Sequence, residues 1–183
     1  MIAAVLLLAL VLLCPVLHAE EYPKMERLTT EQGLSQNSVF AIYQDREGFL
    51  WLGTRDGLNR YDGYGFMVFR HDPLDSESLP WTSVMSITED SDGNIWLASF
   101  GRLCRLDRHT YRFVRVSYGV GNSLVRAIQG DRSGNMWIGT MNGLVRYNTH
   151  SGRFAYFHAN RADPRALASD TVISLYEDHD GLL

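Results

Sequence analysis

From residue 34 onward the apolar residues come in short bursts of about five or six, rich in β-branched and aromatic side chains and closed off by turn residues. Such bursts read as strands rather than helices. In the first stretch they predict strands at 39–44, 49–54, 58–62 and 66–70. The second strand, Leu50-Trp51-Leu52, is apolar on both faces, as expected of a sheet covered on both sides. Residues 2–13 differ in kind, being one unbroken apolar run.

The burst pattern repeats. Asp45, Asp90, Asp131 and Asp178 are separated by 45, 41 and 47 residues. Three residues after each stands a glycine (Gly48, Gly93, Gly134, Gly181), and three further on, in the first three copies, a tryptophan (Trp51, Trp96, Trp137). Six residues before each Asp stands Val39, Val84, Val125 or Val172, and three before it Ile42, Ile87, Ile128 or Leu175. The Asp-x-x-Gly phrase predicts a turn in which the carboxylate caps backbone N–H groups two residues on and glycine takes the positive φ. Asp56-Gly57 and Asn142-Gly143 read as tight-turn dipeptides between second and third strands, and Phe100-Gly101 as the same turn shifted by one residue.

Tandem four-stranded antiparallel units of 40 to 45 residues are β-propeller blades. The fold expected is therefore all-β, with about three complete blades plus the start of a fourth, an incomplete ring. Residues 34–78, 79–119 and 120–166 form the repeats, 167–183 the start of a fourth, and 20–33 a lead-in. Small residues at 41, 86, 127 and 174 suit an innermost strand near the axis. The repeated Trp is the expected glue, with an upper bound of about 4–6 kcal/mol each from buried area. Since propellers close with roughly four to eight blades, the expectation is the N-terminal piece of a longer protein.

The phrase Asp-x-x-Gly-x-[Leu/Ile/Met]-Trp-[Leu/Ile]-Gly-Thr-x-x-Gly-Leu-x-Arg-Tyr resembles the two-component regulator propeller repeat, and the resemblance covers 34–183, almost all of the chain beyond the apolar run. The inter-blade phrases His71-Asp72-Pro73 to Leu79 and Asp163-Pro164 to Leu167 fit as well. The resemblance implies an exported sensor whose propeller precedes a β-sandwich, a membrane helix and a kinase or diguanylate cyclase output. No output motif occurs in this chain, so no kinase or cyclase residue is carried over.

Composition changes this picture little. The 183 residues carry 45% apolar and 21% charged residues, ordinary for a globular protein, and a formal net charge of −4. That charge gives no electrostatic reason to bind nucleic acid. The apolar run 2–13 is too short to span a bilayer. Followed by Cys14-Pro15 and Ala19, it predicts a signal peptide, 1–19, and a periplasmic or extracellular location. Without it, Cys104 is the one cysteine left, and a packed thiol is expected.

The chemistry-bearing residues read as structural first. Asp90-x-Asp92-Gly93 lacks the later acidic ligands of a calcium loop, and the histidines have no zinc-ligand spacing. His109 and His150 fall in turns on the rim shared with the Asp-x-x-Gly phrases. Arg60, Arg105 and Arg146 form a column read as solvated or locally paired charge. No catalytic, cofactor or metal residue is expected. Ligand contacts are expected on the opposite rim, where the inter-blade loops are longer: Asn37, Arg55, Asp56, Trp81 and Asn142.

The function expected is an extracytoplasmic sensory segment of a two-component-type protein. Its partners would be a small-molecule or glycan ligand, further blades, an output module reached through a downstream membrane helix, and a second copy in a homodimer. The alternatives are a propeller enzyme of the streptogramin-lyase type and a passive adhesion or scaffold propeller.

Overall fold

The computed structural model describes residues 25–118 and 123–183. The predicted signal peptide, 1–19, lies outside them. Among the described residues, a short 3-10 turn at Thr30–Gln32 is followed by twelve strands. The first sheet holds β1 (Val39–Gln44), β2 (Leu50–Thr54), β3 (Gly57–Tyr61) and β4 (Phe66–Phe69); the second holds β5 (Ser86–Glu89), β6 (Ile95–Ser99), β7 (Arg102–Leu106) and β8 (Phe113–Val116). The third holds β9 (Val125–Gly130), β10 (Asn135–Thr140), β11 (Gly143–Asn148) and β12 (Phe154–Phe157). Each is a four-stranded antiparallel meander in chain order. The predicted strands of the first copy hold to within a residue at each end. The chain is thus three propeller blades in an unclosed ring, and the segment opening the fourth copy carries no strand of its own.

The first strand of each blade is the inner one: β5 packs against β1 on one side and β9 on the other. Side chains alternate along each strand, so each sheet gives one row to the preceding blade and one to the following blade. Trp51, Leu58 and Ala41 face blade two, meeting Val84, Ile87, Leu97 and Phe113 in one core cluster. Trp96, Ala98 and Leu103 face blade three, meeting Ile128, Met136 and Ile138 in a second. Backbones come close where blades converge. A Cβ placed on Gly53 would lie 2.7 Å from the Val84 carbonyl, and one on Gly139 3.0 Å from that of Val172.

One repeat column exposes the open ends. Ile87 and Ile128, sandwiched between blades, are 7% and 5% exposed; Ile42, on the outer side of blade one, is 68% exposed. At the other end Trp137, Tyr156 and Phe157 border an open cavity of about 740 Å³ on the far side of blade three. Leu167 and Leu183 line it too, and the segment between them docks on blade three, the Val172 amide donating to the Thr140 carbonyl at 2.9 Å.

Candidate functional site

The Asp-x-x-Gly turns are built as the sequence predicts, with one addition. One Asp45 oxygen accepts from the amides of Glu47 (2.9 Å) and Phe49 (3.0 Å), and the other from the Trp51 indole N–H at 2.7 Å. Asp90 and Asp131 repeat this, holding Trp96 at 2.7 Å and Trp137 at 2.8 Å. In blades one and two the turn carboxylate therefore also fixes the ring that the next blade packs on, and Trp137 is held the same way beside the open cavity. Burial pushes the Asp131 carboxyl up, but hydrogen bonds from Asn135, Trp137 and Ser133 outweigh it and hold the group below the usual carboxylate range.

On this rim an ionic clasp joins blades one and two. The buried Glu89 carboxylate meets Arg46 Nε at 2.7 Å and Arg108 Nη1 at 3.2 Å, while Arg108 Nη2 reaches Glu47 at 2.5 Å and Asp45 at 3.4 Å. Its hydrogen bonds, though not the ion pair, recur toward the fourth copy: as the Arg46 amide donates to Glu89 and its guanidinium to the Ser91 carbonyl, the Arg132 amide donates to Glu177 at 3.3 Å and its guanidinium to the His179 carbonyl at 2.8 Å. Beside the clasp lies a cavity of about 420 Å³ lined by Arg46, Arg60, Asp92, Arg108, His109 and Tyr111, among others. His109 thus sits on the rim the repeat assigns it. His150 does too, close against Gly134 of its own blade's turn.

The Arg column divides between solvent and rings. Arg60, half-buried, and Arg146, exposed, make no ion pair with a carboxylate among the described residues, and both lie beside aromatic rings. The Arg60 guanidinium lies 4.4 Å from the Phe49 ring centroid and 5.5 Å from that of Tyr111, whose hydroxyl it also contacts. Arg146 lies 5.7 Å from Trp137 and 5.9 Å from Phe157. Strand pairing sets Arg60 opposite Trp51 and Arg146 opposite Trp137, within reach of rings. Asp62 instead caps its own turn: amides of Gly65 and Tyr64 hold its carboxyl below the usual range.

The five ligand candidates fall in different settings. Arg55 and Asp56 are the two loop residues between β2 and β3, Asp56 pairing with Arg70 at 3.3 Å. Asn142 is the exposed counterpart of Asp56 in blade three, its amide bonded to Thr140 Oγ1 at 2.9 Å. Asn37 accepts the Thr30 amide at 3.0 Å, tying down the lead-in. Trp81 is buried in the cluster between blades one and two, and its indole N–H has no hydrogen-bond partner. Inter-blade loop and β2–β3 turn do share this rim, since the Gly57 amide donates to the Thr82 carbonyl at 2.6 Å. The dipeptide reading of the turns shifts by one: Gly57 and Gly143, at φ 111° and 102°, are already the first residues of β3 and β11.

Sequence reasoning missed a column five residues before each turn aspartate: Phe40, Met85, Arg126 and Ile173. Phe40 and Arg126 are extra residues at β-bulges in β1 and β9, where pairing steps from Val39 to Ala41 and from Ala127 to Val125. A bulge re-aims its side chain. All four are exposed, in or beside the inner strands and the segment that follows them in register, and Met85, Arg126 and Ile173 converge with Phe100 and Leu124 on a cavity of about 250 Å³. The repeat register shows this column, but period-2 alternation hides it because the bulge breaks the alternation. Cys104 is a buried thiol, with burial pushing its pKa up, as packing predicts.

Residues 33–56, 78–101 and 119–142 match the family model described as two component regulator propeller. Histidine kinase P4 of Formosa agariphila is 55% identical over 51 residues, 28% of this chain and 4% of the kinase. Among solved structures, the extracellular domain of a putative hybrid two component system from B. thetaiotaomicron superposes with a TM-score of 0.72 at 22% identity. That match covers 86% of this chain and 21% of the domain. A catalytically inactive virginiamycin B lyase from Staphylococcus aureus gives 0.55 at 18% identity, over 67% of this chain and 42% of the lyase. Those two structural likenesses speak to the fold. The chain spans only a small part of the kinase and about a fifth of the extracellular domain.

Proposed function

We propose, on the premise that this chain is built from repeats of the two component regulator propeller family, that it is an extracytoplasmic sensory segment of a signal-transduction protein and performs no catalysis itself. The observation carrying this reading is the threefold match to that family model, in register with the Asp–Trp turns of all three blades. The stretch shared with a histidine kinase supports it from a second direction.

A ligand on a rim or between blades would act through the packing of blades on one another. It shifts signalling only as far as it binds one packing arrangement better than another. The ionic clasp of Glu89 with Arg46 and Arg108 and the stacked Arg60–Tyr111 pair are the contacts such a shift would remake. In this reading the partners are further blades and an output module, reached through a membrane helix encoded downstream, and the segment lies outside the cytoplasm. Sequencing the complete reading frame tests it. A frame continuing into a membrane helix and a kinase or cyclase module supports the sensory role; a frame with neither overturns it.

A further inference from the structure

The β6–β7 turn departs from its counterparts in ways that cost stability. In blades one and three the turn is anchored by a threonine hydroxyl: Thr54 donates to the Gly57 carbonyl at 3.0 Å and Thr140 to the Gly143 carbonyl at 2.8 Å. In blade two the corresponding Ser99 hydroxyl is buried with no hydrogen-bond partner. The turn residues Phe100 and Gly101 both take positive φ, 42° and 79°. That geometry suits asparagine or glycine and strains a bulky side chain. Yet Phe100 is 64% exposed, so folding gains little from its ring. A strained, exposed aromatic whose turn has also lost its anchor is better explained by what the ring meets outside the fold.

What it borders is the axial mouth. Met85, Phe100, Leu124, Val125 and Ile173 give this cavity apolar walls, and Arg126 is its one charged lining residue. Among the described residues Arg126 has no hydrogen-bond or ion-pair partner, and its bulge turns it out of the strand pairing. We propose that this mouth binds a small amphiphilic carboxylate, an aryl or short alkyl group bearing a single acid. The apolar body lies against Phe100, Met85, Leu124 and Ile173, and the carboxylate takes the paired N–H groups of the Arg126 guanidinium. A polyol fits poorly, because the apolar lining would leave most of its hydroxyls without partners. As a stimulus this ligand rests on the sensory reading above; as a bound molecule it does not.

Calorimetric titration of the complete chain with 3-phenylpropionate, and with 3-phenylpropan-1-ol as neutral comparison, tests the site. The acid is expected to bind saturably, roughly tenfold tighter than the alcohol. Arg126→Gln should bring the acid to the level of the alcohol and leave the alcohol unchanged. Phe100→Asn should weaken both while raising the melting temperature, since asparagine accepts the left-handed conformation. Absence of saturable binding of 3-phenylpropionate up to about 10 mM, or unchanged acid affinity in Arg126→Gln, overturns the proposal. If binding fails while the reading frame continues into a membrane helix and output module, the site falls and the sensory reading stands. If binding succeeds and the frame holds neither, the reverse follows.

Discussion

The indole of Trp96 donates to the carboxylate of Asp90 at 2.7 Å, across six residues, with both side chains buried. The same Asp90 carboxylate accepts the amides of Asp92 at 3.0 Å and Asn94 at 2.8 Å. Turn and inter-blade core therefore share one group. Asp90→Ala leaves buried donors without acceptors and should lower the unfolding free energy by about 2–4 kcal/mol. Urea denaturation should show the loss as a lower midpoint at unchanged slope.

Acid should weaken the third turn through Asp131. Its folded pKa lies below the ordinary 3.8, so its contribution to stability is fully present above that value. It is then lost as pH falls through the depressed folded pKa. Denaturation midpoints measured downward from pH 5 should fall less steeply in Asp131→Asn than in the parent chain.

Two ion pairs of unequal burial should give unequal results. Glu89 is buried between Arg46 and Arg108, and Glu89→Ala removes the one carboxylate that both guanidinium groups meet, leaving the largely buried Arg108 only Asp45 and Glu47. A loss of about 3 kcal/mol is expected. Asp56 and Arg70 face solvent, and Asp56→Ala should change stability by less than about 1 kcal/mol. Thermal unfolding of both variants in one buffer makes the comparison.

Gly53 and Ala98 hold the same repeat position; a Cβ added to Gly53 would lie 2.7 Å from the Val84 carbonyl of the next blade, whereas Ala98 already carries a Cβ and is buried against blade three. Gly53→Ala must push blade two away and should cost about 1–3 kcal/mol. Ala98→Gly creates no clash and should cost about 1 kcal/mol through lost burial and added backbone freedom. A melting temperature for Gly53→Ala no lower than that of the parent chain would contradict the close approach.

Cys104 is fully buried with its thiol pKa raised. Its peptide should stay unmodified by iodoacetamide in the native chain and react once the chain is unfolded, as peptide mass mapping will show.

Local chemistry repeated along the chain was enough to specify the blades. The Asp-x-x-Gly turns, the Trp column and the five-residue bursts each act within one sheet, so their spacing alone placed the strands of the first blade to within a residue. The rim on which each turn falls followed from strand alternation. What tertiary structure decided are relations between blades or departures from regular pairing. Arg60 stacks on Tyr111 of the next blade, 51 residues away, where the sequence offered Asp62 two positions off as a nearer partner. Trp81 read as a loop aromatic near a ligand face and proved part of the inter-blade core. Phe40 and Arg126 turned toward the axis because a bulge breaks the alternation by which a strand's faces are read. Repetition makes local rules visible many times over. A contact between neighbouring units depends on how the sheets approach one another, and no single repeat contains that distance.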